Sequence, residues 1–314
     1  MTNPLYDALL VPHAGSDRPF LHHPDGRITT YGAFLAEAAR YAHALTGLGL
    51  QPGDRVAAHV QKSPQALALY AGCVQAGLVF LPLNTAYTPS EMDYFVENSG
   101  AALFVCDPAT EAAHAPIAER TGARLVTLGA SGEGSLPEAA AGQKETFETV
   151  AREAGDLAAL LYTSGTTGRS KGAMLTHDNL LSNADALVGC WRFTAEDVLL
   201  HALPIFHSHG LFVATNVTLL AGGSLIFLPK FEIEAVLEAL PKATAMMGVP
   251  TFYTRLLDER RFDRDAAGHM RLFISGSAPL LAETHRQFEA RTGHRILERY
   301  GMTETSMITS NPYD

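Results

Sequence analysis

The residues with the clearest chemical use are Thr163-Ser164-Gly165-Thr166-Thr167-Gly168, followed by Arg169-Ser170-Lys171-Gly172. A run of hydroxyl and glycine positions closed by a lysine suits phosphate. Glycines let backbone N–H groups turn inward with no Cβ in the way, hydroxyls add short hydrogen bonds, and the lysine brings a mobile positive charge. The nucleotide loop of ordinary NTPases needs G-x-x-x-x-G-K-[ST]. Counted from Gly165, the fifth following position is Ser170, and Lys171 is followed by Gly172, so that pattern fails. A Gly/Ser/Thr surface turn is the plain alternative, and the length of the run ending in Lys171 argues against it.

Further along, Tyr300-Gly301-Met302-Thr303-Glu304 places a hydroxyl and a carboxylate beside a glycine, and Arg299 stands immediately before it. Alone, Thr303-Glu304 reads as an ordinary capping pair. Phe206-His207-Ser208-His209-Gly210 invites a metal reading, but no carboxylate or cysteine lies nearby in sequence to complete a site. A serine hydrolase fails as well, since neither Ser164, Ser208 nor Ser277 sits in G-x-S-x-G.

Thr163–Gly168 with Lys171-Gly172 resembles the phosphate loop of the acyl-adenylate-forming superfamily, which contains acyl-CoA synthetases, peptide-synthetase adenylation domains and luciferases. Tyr300–Glu304 is similar to a second motif of that superfamily, in the expected order. The resemblance implies that both stretches serve one ATP, with Mg²⁺ on its phosphates and CoA as co-substrate. It implies that Thr163, Ser164, Gly165, Thr166, Thr167, Gly168 and Lys171 hold the outer phosphates and that Thr303 reaches the α-phosphate. Glu304 is the implied Mg²⁺ ligand, a hard oxygen donor for a hard cation. Tyr300 is expected to stack on adenine opposite Gly276-Ser277-Ala278-Pro279, with Glu298, Gly301 and Met302 in the same nucleotide site. Thr303, Glu304 and Lys171 are the expected catalytic residues, because adenylation depends on positioning two anions while charge builds on phosphorus.

Ile296–Thr305, together with the stretch from His201 to Phe212, is similar to the malonyl-CoA synthetase branch of the superfamily. The implied substrate residues are His207 at the mouth of an acyl pocket, Ser277, and Arg299. A guanidinium fixed there suits a substrate with a second carboxylate, which it can grip in a bidentate manner. An arginine turned outward to a surface acid, or to phosphate, is the competing reading. His209 is expected to be structural. The implied reaction joins malonate to CoA with release of AMP and pyrophosphate; the runner-up is a ligase for another short or substituted acid such as methylmalonate. A nucleotide- and acid-binding module without turnover stands beside it, because superfamily members continue into a ribose-gripping aspartate, a hinge and a small lysine-bearing lobe, and this sequence stops at Asn311-Pro312-Tyr313-Asp314. Residues 1–314 are therefore expected to be the N-terminal adenylate-forming region.

Behind these residues must stand a large scaffold. The chain has 314 residues, 47% hydrophobic and 18% charged, the balance of a globular protein. Its 23 Lys and Arg against 33 Asp and Glu argue against nucleic acid or an anionic membrane as partner. Cys73, Cys106 and Cys190 are widely spaced and odd in number, which suits reduced thiols in the cytoplasm. The run from Val198 to Pro229 carries no Asp, Glu, Lys or Arg, yet His201, Pro204, His207, His209 and Asn216 interrupt it, so strand, loop, buried helix and strand are expected rather than a membrane span.

Strand and helix alternate along the chain. A helix capped by Thr30 is expected to Leu48, then strand Arg55–Val60. Ser63-Pro64 opens a helix to Ala76, followed by strand Gly77–Leu83. Thr88-Pro89-Ser90-Glu91 is a capping box for a helix to Asn98. Strands Ala102–Cys106 and Arg124–Leu128 flank another helix. Residues 129–155 read as a loop and then a weak helix ending near Gly155. Thr176 caps a helix to Gly189; strands follow at Val198–Ala202, Ser224–Leu228, Thr244–Val249, Leu272–Ser275 and Ile296–Arg299, with helices Glu232–Leu240 and Leu280–Thr292. This is the rhythm of an α/β protein with mainly parallel sheets. The resemblance implies two doubly wound subdomains and the start of a β-rich third.

Overall fold

The computed structural model describes residues 2–163 and 169–314. Its first strands are β1 (Pro19–His22), β2 (Ile28–Thr30), β3 (Arg55–His59), β4 (Val79–Pro82), β5 (Leu103–Cys106), β6 (Arg124–Thr127) and β7 (Leu157–Thr163). The later ones are β8 (Lys171–Thr176), β9 (Val198–His201), β10 (Ser224–Phe227), β11 (Ala245–Gly248), β12 (Leu272–Ser275), β13 (Ile296–Met302) and β14 (Ser306–Ser310). The chain forms two compact units: residues up to Asp17 with Tyr31–Leu181, and Arg18–Thr30 with Ser182–Asp314.

In the first unit the sheet order is β6-β5-β3-β4-β7-β8, parallel except for β8, which runs back along β7. Local rules fix the helices between these strands. Ser63 Oγ accepts the Ala66 N–H at 3.1 Å, with Pro64 as the first helical residue. At the next helix Glu91 reaches back to the Thr88 N–H at 2.8 Å and completes the capping box. Strands β3, β4 and β5 are buried almost throughout, and Leu81, Met92, Phe95 and Phe104 share one core.

Residues 129–155 differ from expectation. The helix there is Ser135–Ala140, and from Gln143 the chain is irregular up to β7. Two reciprocal bonds start that helix: Ser135 Oγ accepts the Thr127 N–H, and Thr127 Oγ1 accepts the Ser135 N–H, each at 2.9 Å. Downstream, Val150 N–H donates to Gln75 O and Arg152 N–H to Thr2 O, so the backbone is satisfied by distant segments and not by a helix of its own.

In the second unit the order is β14-β13-β12-β11-β9-β10-β1-β2. The central strands are parallel; β2 and β14 are antiparallel edges. Tyr253, Phe262, Phe273 and Phe288 meet edge to face or tilted and form the core under the sheet. The uncharged run resolves into β9, a wide π-type helical segment His209–Thr215 continuing as helix Asn216–Ala221, and β10. Among the described residues no helix is long and apolar enough to cross a membrane. Strand β13 continues past Arg299 to Met302 because β14 pairs with it, and β14 belongs to the second unit as an edge of its sheet.

Candidate active site

In the first unit the hydroxyl-rich loop leaves β7 and returns on β8. Ser164, Gly165, Thr166, Thr167 and Gly168 lie outside the described residues; the flanks do not. Thr163 and Lys171 face each other across the antiparallel pair, which closes the base of the loop. Lys171 is exposed. The far flank is tied down by aromatics: Tyr94 O–H donates to Ser170 O at 2.8 Å, and the Arg169 guanidinium lies 5.5 Å from the Tyr94 ring centre. Phe95 packs on Tyr162 with ring centres 4.4 Å apart, and Tyr162 O–H donates to Asn98 at 2.6 Å.

In the second unit the parallel strands β12 and β13 end side by side, Ser275 opposite Glu298. Their continuations, Gly276–Pro279 and Arg299–Gly301, therefore share one edge. A cavity of about 620 Å³ is lined by Ser277, Ala278, Pro279, Glu298, Arg299, Tyr300 and Gly301, and by Thr309, Ser310 and Asn311 of β14 and its exit. The Tyr300 side chain is 57% exposed, so a flat aromatic face is free for stacking. Glu298 accepts the Leu280 N–H at 3.3 Å and pairs with His285 at 3.3 Å.

A second cavity, of about 380 Å³, brings together Pro204, His207, His209, Ser277, Arg299, Thr303 and Met307. Arg299 is only 6% exposed. Its Nη2 donates to Ser277 Oγ over 3.5 Å, its buried Nε has no partner, and among the described residues no carboxylate pairs with it. Burial accordingly pulls its pKa down from 12.5 to about 10, and the guanidinium stays a cation at neutral pH. Ser277 Oγ also lies 3.2 Å from His209 Nδ1. His209 is buried, and burial first and Arg299 second hold its pKa well below the usual histidine range, so it is neutral. The wide turn that begins at His209 is pinned from beneath, where Gly210 O accepts from Thr215 Oγ1 at 2.9 Å and lies 2.8 Å from His201 Nε2. A buried cation without a counter-ion, next to a hydroxyl and a neutral imidazole, is a site for an anion.

Thr303 and Glu304 sit in the turn between β13 and β14. The hairpin is tight: a Cβ at Gly301 would lie 2.8 Å from Met307 Cα, so only glycine lets the strands close there. Glu304 is exposed, and among the described residues no ion pair engages its carboxylate. No cluster of three metal-binding side chains occurs among the described residues.

The family model of the AMP-binding enzymes matches residues 11–314. The chain belongs to the AMP-binding enzyme family. Malonate–CoA ligase of Arabidopsis thaliana is 32% identical over 92% of this chain, and the mitochondrial malonate–CoA ligase ACSF3 of Mus musculus is 35% identical over 76%. Apo MatB from Rhodopseudomonas palustris is 56% identical and superimposes with a TM-score of 0.97 over the whole chain; its ATP-bound form is 57% identical. The chain spans 54% of the Arabidopsis protein, 43% of the mouse protein and 62% of the MatB chain. With that neighbour the two mainly parallel sheets are the fold expected of an acyl-CoA synthetase N-terminal region.

In this AMP-binding enzyme, Ser277, Ala278, Pro279, Glu298, Tyr300 and Gly301 do gather around one cavity, and His207, Ser277, Arg299, Met302 and Thr303 around the other. Gly276 stands behind them, against the guanidinium. Thr163 and Lys171 belong to the first unit. Sequence reasoning left His209 as structural, but it faces the smaller cavity and touches Ser277. Its one available signal was the spacing from His207, which argues for a metal more readily than for a hydrogen-bonded serine.

Proposed function

We propose that the chain is the nucleotide- and acid-binding part of a ligase that activates malonate as malonyl-AMP and passes it to CoA. The observation that carries the reading is Arg299: a buried guanidinium facing a cavity, with no carboxylate paired to it among the described residues. An acid with a second carboxylate supplies the missing charge. The relatives named as malonate–CoA ligases support the same substrate.

In the proposed reaction one malonate carboxylate oxygen attacks the α-phosphorus of ATP, the bond to the β-phosphate oxygen breaks, and pyrophosphate leaves. The CoA thiolate then displaces AMP from the mixed anhydride. Arg299 and Ser277 hold the spectator carboxylate, so the reacting one is presented in a fixed orientation. His207 borders the same cavity, Thr303 donates toward the α-phosphate, and Lys171 with Thr163–Gly168 holds the outer phosphates. Tyr300 stacks on adenine against Gly276–Pro279, with Glu298, Gly301 and Met302 beside it. Glu304, exposed and without an ion-pair partner among the described residues, would offer a carboxylate oxygen to a magnesium ion. Such an ion supplies charge neutralisation on the phosphate oxygens. The cytoplasm is the inferred compartment.

The test is acid-dependent pyrophosphate exchange by the complete ligase with malonate, methylmalonate, propionate and benzoate. Malonate, or malonate with methylmalonate, is expected to stand well above the monocarboxylates. Equal rates with propionate overturn the dicarboxylate reading.

A further inference from the structure

Position 276 is glycine, and its backbone gives no conformational reason for that: Gly276 is outside the positive-φ region that favours glycine. The reason lies across the strand pair. The three atoms nearest to a Cβ built at Gly276 all belong to the Arg299 guanidinium, Nη1 at 2.8 Å with Cζ and Nε closer still. Ordinary carbon contacts are about 3.5–4.0 Å, so even alanine at this position displaces the guanidinium by roughly an ångström.

The obstacle is the far end of a side chain, not backbone, so the fold can accommodate a methyl group. The guanidinium cannot move without consequence, because it is 6% exposed and both cavities border it. Pushed off Gly276, it enters the space where the acid lies. We propose that Gly276 is a specificity-determining residue: its missing side chain is the berth for Arg299, and the size of residue 276 decides whether the cavity takes a dicarboxylic acid. This rests on the malonate reading above. Position 276 and position 299 then act as a pair, in which a side chain at 276 is harmful only while arginine occupies 299.

The experiment is a double-variant cycle in the complete ligase: wild type, Gly276→Ala, Arg299→Ala and the double variant. Each is assayed for kcat/KM with malonate and with propionate and for its thermal midpoint. Gly276→Ala is expected to lower malonate efficiency about tenfold or more, since a misplacement of ~1 Å is worth up to ~10²-fold. Propionate efficiency, which reports any loss at the proposed adenine wall, is expected to fall clearly less than malonate efficiency, and in the Arg299→Ala background the added methyl should change the malonate-to-propionate ratio less than about twofold, the limit for uncoupled sites. Parallel losses for both acids, or the same loss in both backgrounds, overturn the proposal and assign Gly276 to the nucleotide or the backbone. An Arg299→Ala enzyme that still prefers malonate sinks the underlying reading. An Arg299→Ala enzyme that loses malonate, while Gly276→Ala keeps it, sinks the glycine proposal alone. If Gly276→Ala fails to fold, the double variant decides: recovery of the wild-type midpoint on removing the guanidinium upholds the steric pairing, and no recovery overturns it.

Discussion

Ser277 holds its hydroxyl 3.2 Å from Nδ1 of His209 while its own backbone sits at φ +71°, in the left-handed region that a serine adopts only at a cost. Glycine would be the easier residue there. The hydroxyl gives serine its use, since it bridges a neutral imidazole and a buried guanidinium. Because Arg299 can only donate, Ser277 Oγ accepts from it, and the direction of the Ser277–His209 bond follows the imidazole tautomer.

Ser277→Gly therefore separates stability from function. Relief of about 1–2 kcal/mol of backbone strain offsets the roughly 0.5–1 kcal/mol entropic cost of glycine, so the thermal midpoint should hold or rise. Malonate efficiency should fall about ten- to a hundredfold, the worth of a hydrogen bond to a charged group. Thermal unfolding and steady-state kinetics on the same preparation read both effects.

Arg299→Ala should lower malonate efficiency on the order of a hundredfold, the lower end of what breaking a buried charge pair costs, about 3 kcal/mol, because solvent can enter the emptied space. Propionate should be treated no worse. With its pKa lowered to about 10, the arginine is cationic throughout the neutral range, so its contribution to malonate KM should be flat up to pH 9 and fade as pH rises through 10. A parallel drop for both acids would assign Arg299 to the nucleotide or the fold.

Lys171→Ala should weaken ATP binding more than AMP binding, because the proposed role of the lysine is on the outer phosphates. Calorimetric titration with both nucleotides checks it, and equal losses would move the lysine elsewhere in the mechanism.

His177 gives a pH-dependent stability term unconnected with catalysis. It is buried at the start of helix His177–Trp191, and burial, then Arg152, depress its pKa from 6.5 to about 4. The unfolded chain takes the proton first, so stability falls as pH drops from 6.5 toward 4. At pH 5 the loss is about 2 kcal/mol, at ~1.4 kcal/mol per pH unit. Urea unfolding at pH 7 and pH 5 should show a loss about 2 kcal/mol smaller in His177→Asn than in the parent protein.

What the sequence announces here is what short-range chemistry decides. Ser63-Pro64 and Thr88–Glu91 carry their helix starts in their own side chains. The helix Ser135–Ala140 was misplaced because Thr127, on another element, starts it. The reach of β13 to Met302 depends on a partner strand that periodicity cannot pair in advance. Arg299 could be singled out as a charge beside Tyr300, but its burial against Gly276, Ser277 and His209 is a property of three separate segments meeting.

Strand β13 presents Arg299 buried and Tyr300 exposed, one residue apart and on opposite faces. The proposed acid contact and the proposed adenine contact thus start from two sides of a single ribbon, and Ile296 against Phe273 fixes its phase. A gain or loss of one residue between Ile296 and Arg299 exchanges the two faces, turning the guanidinium to the side the ring now occupies and the ring to the side of the guanidinium. Spacing in that segment should therefore be intolerant of length change even where its side chains are interchangeable.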